Sequence, residues 1–83
     1  MKLDVMYFAW VRERIGIPRE TIETEATTVA ELVKELSARE ERYEVAFSDL
    51  DALRVAVDQD LTDFDAAISN AREVAFFPPM TGG

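Results

Sequence analysis

The sequence predicts an α+β fold of the β-grasp type, a mixed sheet with one main helix packed across it, and three observations carry that expectation. The chain opens on an alternating stretch, Lys2 to Phe8, and its body closes on an apolar one, Glu73 to Phe77. Between them one long helical pattern stands out, with Val29, Leu32, Val33 and Leu36 at i, i+3, i+4 and i+7. The order strand, short helix, strand, long helix, strands, last strand is best satisfied with the last strand parallel beside the first and the long helix over one face. A ferredoxin-like arrangement needs a second full helix before the final strand, and Phe64 to Ile68 is too short for one.

In the first strand Leu3, Val5 and Tyr7 share one face, and Lys2, Asp4, Met6 and Phe8 the other. The end of that strand is therefore apolar on both sides, which fits a sheet covered twice, the commoner arrangement, or an exposed patch in which Phe8 meets a partner. Val11 and Ile15 mark a short helix, Gly16 is placed to end it before Ile17 and Pro18, and Trp10 is expected to pack beneath it. Arg19 to Glu25 reads as an edge strand, because Ile22 is its one large apolar residue among Glu20, Glu23 and Glu25. Thr28 with Glu31 three residues on is a capping-box pattern that opens the long helix. From Glu41 to Ala52 no single element is specified, although Tyr43, Phe47 and Leu50 suit one further helical turn. Leu53, Val55 and Val57 alternate as a half-buried strand, Asp58, Gln59 and Asp60 begin a turn, and Leu61 and Thr62 extend a short return strand. Asp63 is placed to cap a turn through Ala66 to Ile68, which leads through Ser69 and Asn70 to the final strand.

With 83 residues, 48% of them hydrophobic, the chain has room for one core and no second domain. A net charge of -8 argues against nucleic acid and anionic membranes as partners and favours basic ones. No apolar stretch reaches the length of a membrane span and no signal-peptide pattern opens the chain, so the cytoplasm is the expected location. Cysteine and histidine are absent, which removes disulfides, thiolate metal sites, thiol nucleophiles and imidazole bases. Ser37, Ser48 and Ser69 therefore have no histidine to activate them, and Lys2 and Lys34 fall on solvated faces. Asp58, Asp60, Asp63 and Asp65 lack the glycine and terminal glutamate of a calcium loop. No metal or bound cofactor is expected.

What remains is the C-terminus. Residues 1–77 are expected to form the domain and residues 78–83 an extended, flexible tail. Pro78 and Pro79 fix their own φ and hold the preceding residues extended, so the chain leaving Phe77 projects. The path through Pro78, Pro79, Met80 and Thr81 to Gly82 and Gly83 spans roughly 20 Å, enough to thread another protein's cleft. Gly82 and Gly83 have no Cβ, so they pass where only backbone fits and leave the terminal carbonyl open to attack. Frayed, idle termini are the ordinary case, but this tail follows directly from an apolar strand that anchors its root. By alternation Phe76 belongs to the core and Phe77 to a partner surface.

Tyr7-Phe8-Ala9-Trp10-Val11-Arg12-Glu13, Arg54-Val55-Ala56-Val57 with Asp58-Gln59, and above all Glu73-Val74-Ala75-Phe76-Phe77-Pro78-Pro79-Met80-Thr81-Gly82-Gly83 resemble the small subunit of molybdopterin synthase, across nearly the whole chain. The departures are Asn70-Ala71-Arg72 where an Asp-Gly-Asp turn is frequent, Met80 where valine is common, and Asp58 where asparagine is usual. The resemblance implies a ubiquitin-like sulfur carrier, the sulfur-donating subunit of a transferase without a complete active site of its own. A ubiquitin-activating-like adenylyltransferase spends ATP to adenylate Gly83, and a sulfurtransferase or desulfurase supplies the sulfur that makes the thiocarboxylate. The tail then delivers sulfur inside the large subunit, within a heterotetramer, to cyclic pyranopterin monophosphate for molybdenum cofactor biosynthesis. A thiamine-type sulfur carrier, a ubiquitin-like protein modifier and a non-catalytic ubiquitin-like interaction module are the alternatives.

Overall fold

The computed structural model describes residues 1–79. In chain order its elements are β1 (Lys2–Tyr7), α1 (Ala9–Ile15), β2 (Arg19–Glu23), α2 (Val29–Arg39), α3 (Glu41–Ala46), a 3₁₀ turn (Leu50–Ala52), β3 (Arg54–Val57), β4 (Asp60–Thr62) and β5 (Glu73–Phe77). The five strands form one sheet in the order β2-β1-β5-β3-β4. As the sequence predicts, β5 runs parallel to β1, with Val5 opposite Val74 and Tyr7 opposite Phe76. It also pairs antiparallel with β3, so the last strand is central, and the ferredoxin-like alternative is set aside.

Alternation along the strands sends Leu3, Val5, Tyr7, Val55, Val74 and Phe76 to the helix side, where each is fully buried. They meet Val29, Leu32, Val33 and Leu36, the stripe of α2, all four buried. The start of α2 is held as the sequence predicts on one side: Thr28 Oγ1 accepts the Glu31 N–H at 3.2 Å. The reciprocal half shifts by one residue, since the Glu31 carboxylate accepts from the N–H and hydroxyl of Thr27 rather than from Thr28. Gly16 ends α1 in the left-handed region at φ 98°, donating its N–H to the Arg12 carbonyl.

The segment after α2, left without a defined element but suited to a helical turn, forms α3 and the 3₁₀ turn, which bring Tyr43 and Phe47 into the core. Other expectations are corrected. β2 stops at Glu23 because Thr24 turns inward, its hydroxyl accepting the Ala26 N–H. Trp10 is half-buried and packs against the core, with the Arg14 guanidinium over its ring at 4.4 Å. The face of β1 that carries Met6 and Phe8 is not covered by a second layer among the described residues: Met6 is half-buried and Phe8 is 43% exposed.

One aromatic cluster ties the layers together. Tyr7 stacks on Phe76 at 6.3 Å between ring centroids, and Phe47 meets Phe76 edge-on at 4.9 Å. The hydroxyls of Tyr7 and Tyr43 both donate to Oε2 of Glu20, which fastens β2 to α3. Burial first, then the Glu20 carboxylate, pushes Tyr43 up to about 12, and the same causes drive Tyr7 higher. Both hydroxyls are therefore protonated donors at physiological pH.

The β3–β4 turn is tight because Asp58 and Gln59 both take positive φ, 50° and 74°. The Asp58 N–H donates to the Glu73 carbonyl, while its Oδ1 accepts the N–H groups of Arg72 and Glu73 at 2.8 and 3.0 Å. Those two donors, Arg72 first, hold the Asp58 carboxyl below the usual carboxylate range. A group lowered in the folded state stabilises above its unfolded value, near pH 4, and loses that contribution as pH falls through the lowered one. Asp58→Asn keeps an acceptor oxygen without the charge. It is expected to be somewhat less stable than the parent at neutral pH, to approach it in acid, and so to flatten the acid limb of the urea midpoint against pH; an acid limb as steep as the parent's contradicts this role.

Candidate functional site

The face of the sheet opposite the helices is open, and the strand registers order it into rows. Leu61 lies opposite Ala56, Ala56 opposite Ala75, Ala75 opposite Met6, and Met6 opposite Arg19. Two alanines thus form a shallow floor between Leu61 on β4 and Met6 on β1. Leu61 is 70% exposed, far more than an apolar residue in a strand needs to be. The next row up begins with Phe77 opposite Arg54. Phe8 follows Tyr7 at the matching end of β1, and its N–H donates to the Phe76 carbonyl at 3.1 Å.

This upper row is the root of the tail. Phe76 is fully buried and Phe77 half-buried, which is the division the alternation predicts. Pro78 and Pro79 follow β5, both half-buried. Met80, Thr81, Gly82 and Gly83, the sequence-predicted working end, lie outside the described residues. Ala9, directly after Phe8, takes φ 54°, a left-handed conformation that lets α1 depart from the sheet while Phe8 keeps its ring outside.

Charge is unevenly distributed around this face. Arg19 pairs with Asp4 at 3.6 Å, Thr21 donates to the same carboxylate, and Arg54 holds the carbonyls of Asp51 and Leu53 through Nη1. The helix side carries Glu31, Glu40, Glu41 and Glu44, all exposed. The open face is thus apolar at its centre, with Arg54 and Arg19 beside the upper rows and Asp4 and Glu73 forming the row below, while Glu31, Glu40, Glu41 and Glu44 lie on the other side. Among the described residues no group of three His, Cys, Asp or Glu is arranged to hold a metal ion, and no helix is long and apolar enough to cross a membrane.

The structure brings Phe8 and Phe77 to one edge of the open face. Sequence reading missed Leu61, Ala56 and Ala75 as parts of it. The signal was the tight turn at Asp58 and Gln59, which fixes Leu61 opposite Ala56 and sends both to the solvent face.

Comparison with known proteins adds the following. The ThiS family model matches residues 5–83. The molybdopterin synthase sulfur carrier subunit of Escherichia coli (strain K12) is 38% identical over 81 residues, covering 98% of this chain and 99% of that protein. The protein of the same name from Haemophilus influenzae is 35% identical with the same coverage. Among solved structures, SAMP1 from Haloferax volcanii superposes with a TM-score of 0.73 at 19% identity, covering all of both chains. A chain from the complex of subunits 1 and 2 of the Helicobacter pylori molybdopterin-converting factor superposes at 0.65 and 21% identity, again over all of both chains. These neighbours share the ubiquitin-like β-grasp fold.

Proposed function

The chain belongs to the ThiS family, and from that premise we infer that it is the sulfur carrier subunit of a molybdopterin synthase. The observation that carries the reading is the full-length match to two proteins of that name, over 98% of this chain. The fold supplies the physical counterpart: the strand that precedes the tail is the central one, paired on both sides and buried through Val74 and Phe76. A tail grown from that strand starts from a fixed point and direction.

The reading assigns Gly83 the chemistry. Its carboxylate attacks the α-phosphate of ATP on an adenylating partner and pyrophosphate leaves. The persulfide of a donor enzyme then attacks the carbonyl carbon and AMP leaves with the electron pair of the broken C–O bond, after which a thiol of the donor cleaves the S–S bond, forming a disulfide and releasing the thiocarboxylate. The thiocarboxylate sulfur is a better nucleophile than the oxygen it replaced; inside the large subunit it bonds to a carbon of cyclic pyranopterin monophosphate as an oxygen leaves that carbon, and water then cleaves the acyl–sulfur bond, leaving sulfur on the substrate and Gly83 as the carboxylate. Gly82 gives the clearance for these attacks, and Pro78 to Thr81 set the reach. ATP is consumed on the partner, and the chain itself holds no resident cofactor. A cytoplasmic setting fits these steps. The intact mass of protein isolated from its native cell is the test: a fraction heavier by the replacement of one oxygen with sulfur, mapped to Gly83, is expected, and its complete absence under conditions of active cofactor synthesis overturns the reading.

The open face gives the large subunit its footing, with Phe77, Phe8 and Leu61 as apolar contacts. Central apolar contacts dominate interface energies, and single truncations there cost about 1–4 kcal/mol. Leu61→Asp and Phe77→Asp are expected to weaken association with the large subunit by about tenfold or more while the thermal midpoint stays close to the parent's. Unchanged affinity in both variants places the interface elsewhere.

A further inference from the structure

Around the tail's root the positive charge is carried by arginine. Arg54 lies opposite Phe77, Arg19 lies across from Met6, and Arg12 and Arg14 stand on α1, which begins just beyond β1. All four are exposed. The chain's primary amines are the N-terminus, Lys2 and Lys34. Lys2 pairs with Glu23, two residues before β1 first meets β5 at Asp4 and Glu73. That places it about 20 Å along the sheet from the level of Phe77. The N-terminal amine is at the same far end, donating to the Thr24 carbonyl at 3.1 Å with Glu23 beside it. Lys34 is exposed on α2, on the opposite side of the sheet from the open face. The four residues after Pro79 span at most about 14 Å even fully extended, so doubling back does not bring Gly83 level with Lys2.

Part of this usage has a local reason. Arg14 lies over Trp10, a contact that suits a guanidinium, whereas Arg54 donates to two carbonyls through Nη1 alone, which a three-donor ammonium can also do. Arg19 makes only a 3.6 Å ion pair with Asp4, which an ammonium makes equally well, and Arg12 makes no side-chain bond among the described residues. The difference that spans all four is nucleophilicity. A lysine amine attacks an activated acyl carbon: the N–C bond forms, the bond to the leaving group breaks, the leaving group takes the electron pair, and the nitrogen loses a proton to water. The product is an amide, from which the carrier cannot be recovered. A guanidinium stays protonated and does not attack.

We propose that Arg12, Arg14, Arg19 and Arg54 determine the chemical selectivity of the carrier: they give this end of the sheet its charge in a form that the activated Gly83 carbonyl cannot acylate. The proposal rests on the reading that Gly83 is activated. It is tested on the full chain prepared with Gly83 as an alkyl thioester by intein cleavage, comparing the parent with Arg54→Lys and Arg19→Lys in mildly alkaline buffer. The parent is expected to hydrolyse to the free acid. At least one variant is expected to yield an internal amide at the substituted side chain, one water lighter than the free acid, at least about tenfold faster than any internal amide in the parent. Closure no faster in either variant overturns the proposal, as does comparable closure of the parent onto Lys2, Lys34 or the N-terminus. The thioester is installed without a partner, so this outcome is read independently of the native mass that tests the carrier reading.

Discussion

Deletion of Gly83, or addition of one residue after it, is expected to abolish sulfur transfer while leaving the thermal midpoint where it was. The stability half follows from the fold: Val74 and Phe76 carry the burial of the last strand, and among the described residues the core cluster includes none beyond Phe76. The functional half follows from reach. One residue more or less displaces the reacting carbonyl by about 3.5 Å, whereas misplacement by about 1 Å can cost on the order of 100-fold in rate. In a reconstituted synthase the expected readout is no thiocarboxylate on the truncated chain and a loss of molybdopterin formation of at least about 100-fold. Parent-rate synthesis by either variant removes the carrier reading and leaves a ubiquitin-like interaction module in its place.

Phe76→Ala is expected to have the largest effect on stability. Its ring is fully buried, stacked on Tyr7 and met edge-on by Phe47, and it sits in the strand that pairs on both sides. Truncating a buried phenylalanine costs about 3–5 kcal/mol, a large share of the roughly 5–15 kcal/mol that stabilises a small domain. The neighbouring Phe77→Ala removes a half-buried ring from the open face and is expected to leave stability nearly unchanged. Urea denaturation of the pair separates them. Equal losses show that the two faces of β5 do not divide as their burial indicates.

The two variants also mark where the sequence was legible. Period-two alternation in Lys2 to Tyr7 and Glu73 to Phe77, and the i, i+3, i+4, i+7 stripe of α2, are local patterns, and each element formed where its pattern lay. The parallel pairing of β1 with β5 was legible because the most apolar strands compete for the centre of a sheet. The stretch from Glu41 to Ala52 was not. Tyr43 within α3 and Phe47 at its C-terminal cap are the apolar positions of a short, acid-rich segment whose stability comes from the core and from the bond of Tyr43 to Glu20, more than twenty residues earlier in the chain. The capping box was half legible for a similar reason: the spacing predicts that Glu31 turns back on the chain, while the local path of Thr27 decides which N–H it meets.

By itself the sequence determined the fold class, the long helix, the buried and half-buried phenylalanines of the last strand, and the terminal glycines in a chain without cysteine or histidine, because each of these follows from local periodicity or from composition. Only the tertiary structure decided that the second face of β1 stays open and that Leu61, Ala56, Ala75 and Met6 line up across four strands. It alone decided that Arg12, Arg14, Arg19 and Arg54 lie towards the tail's root while Lys2 and Lys34 stand apart from it. Those facts depend on strand order and register, which are set by the closing of turns and the burial of the opposite face. Residues that no local pattern links become neighbours only when the sheet is assembled.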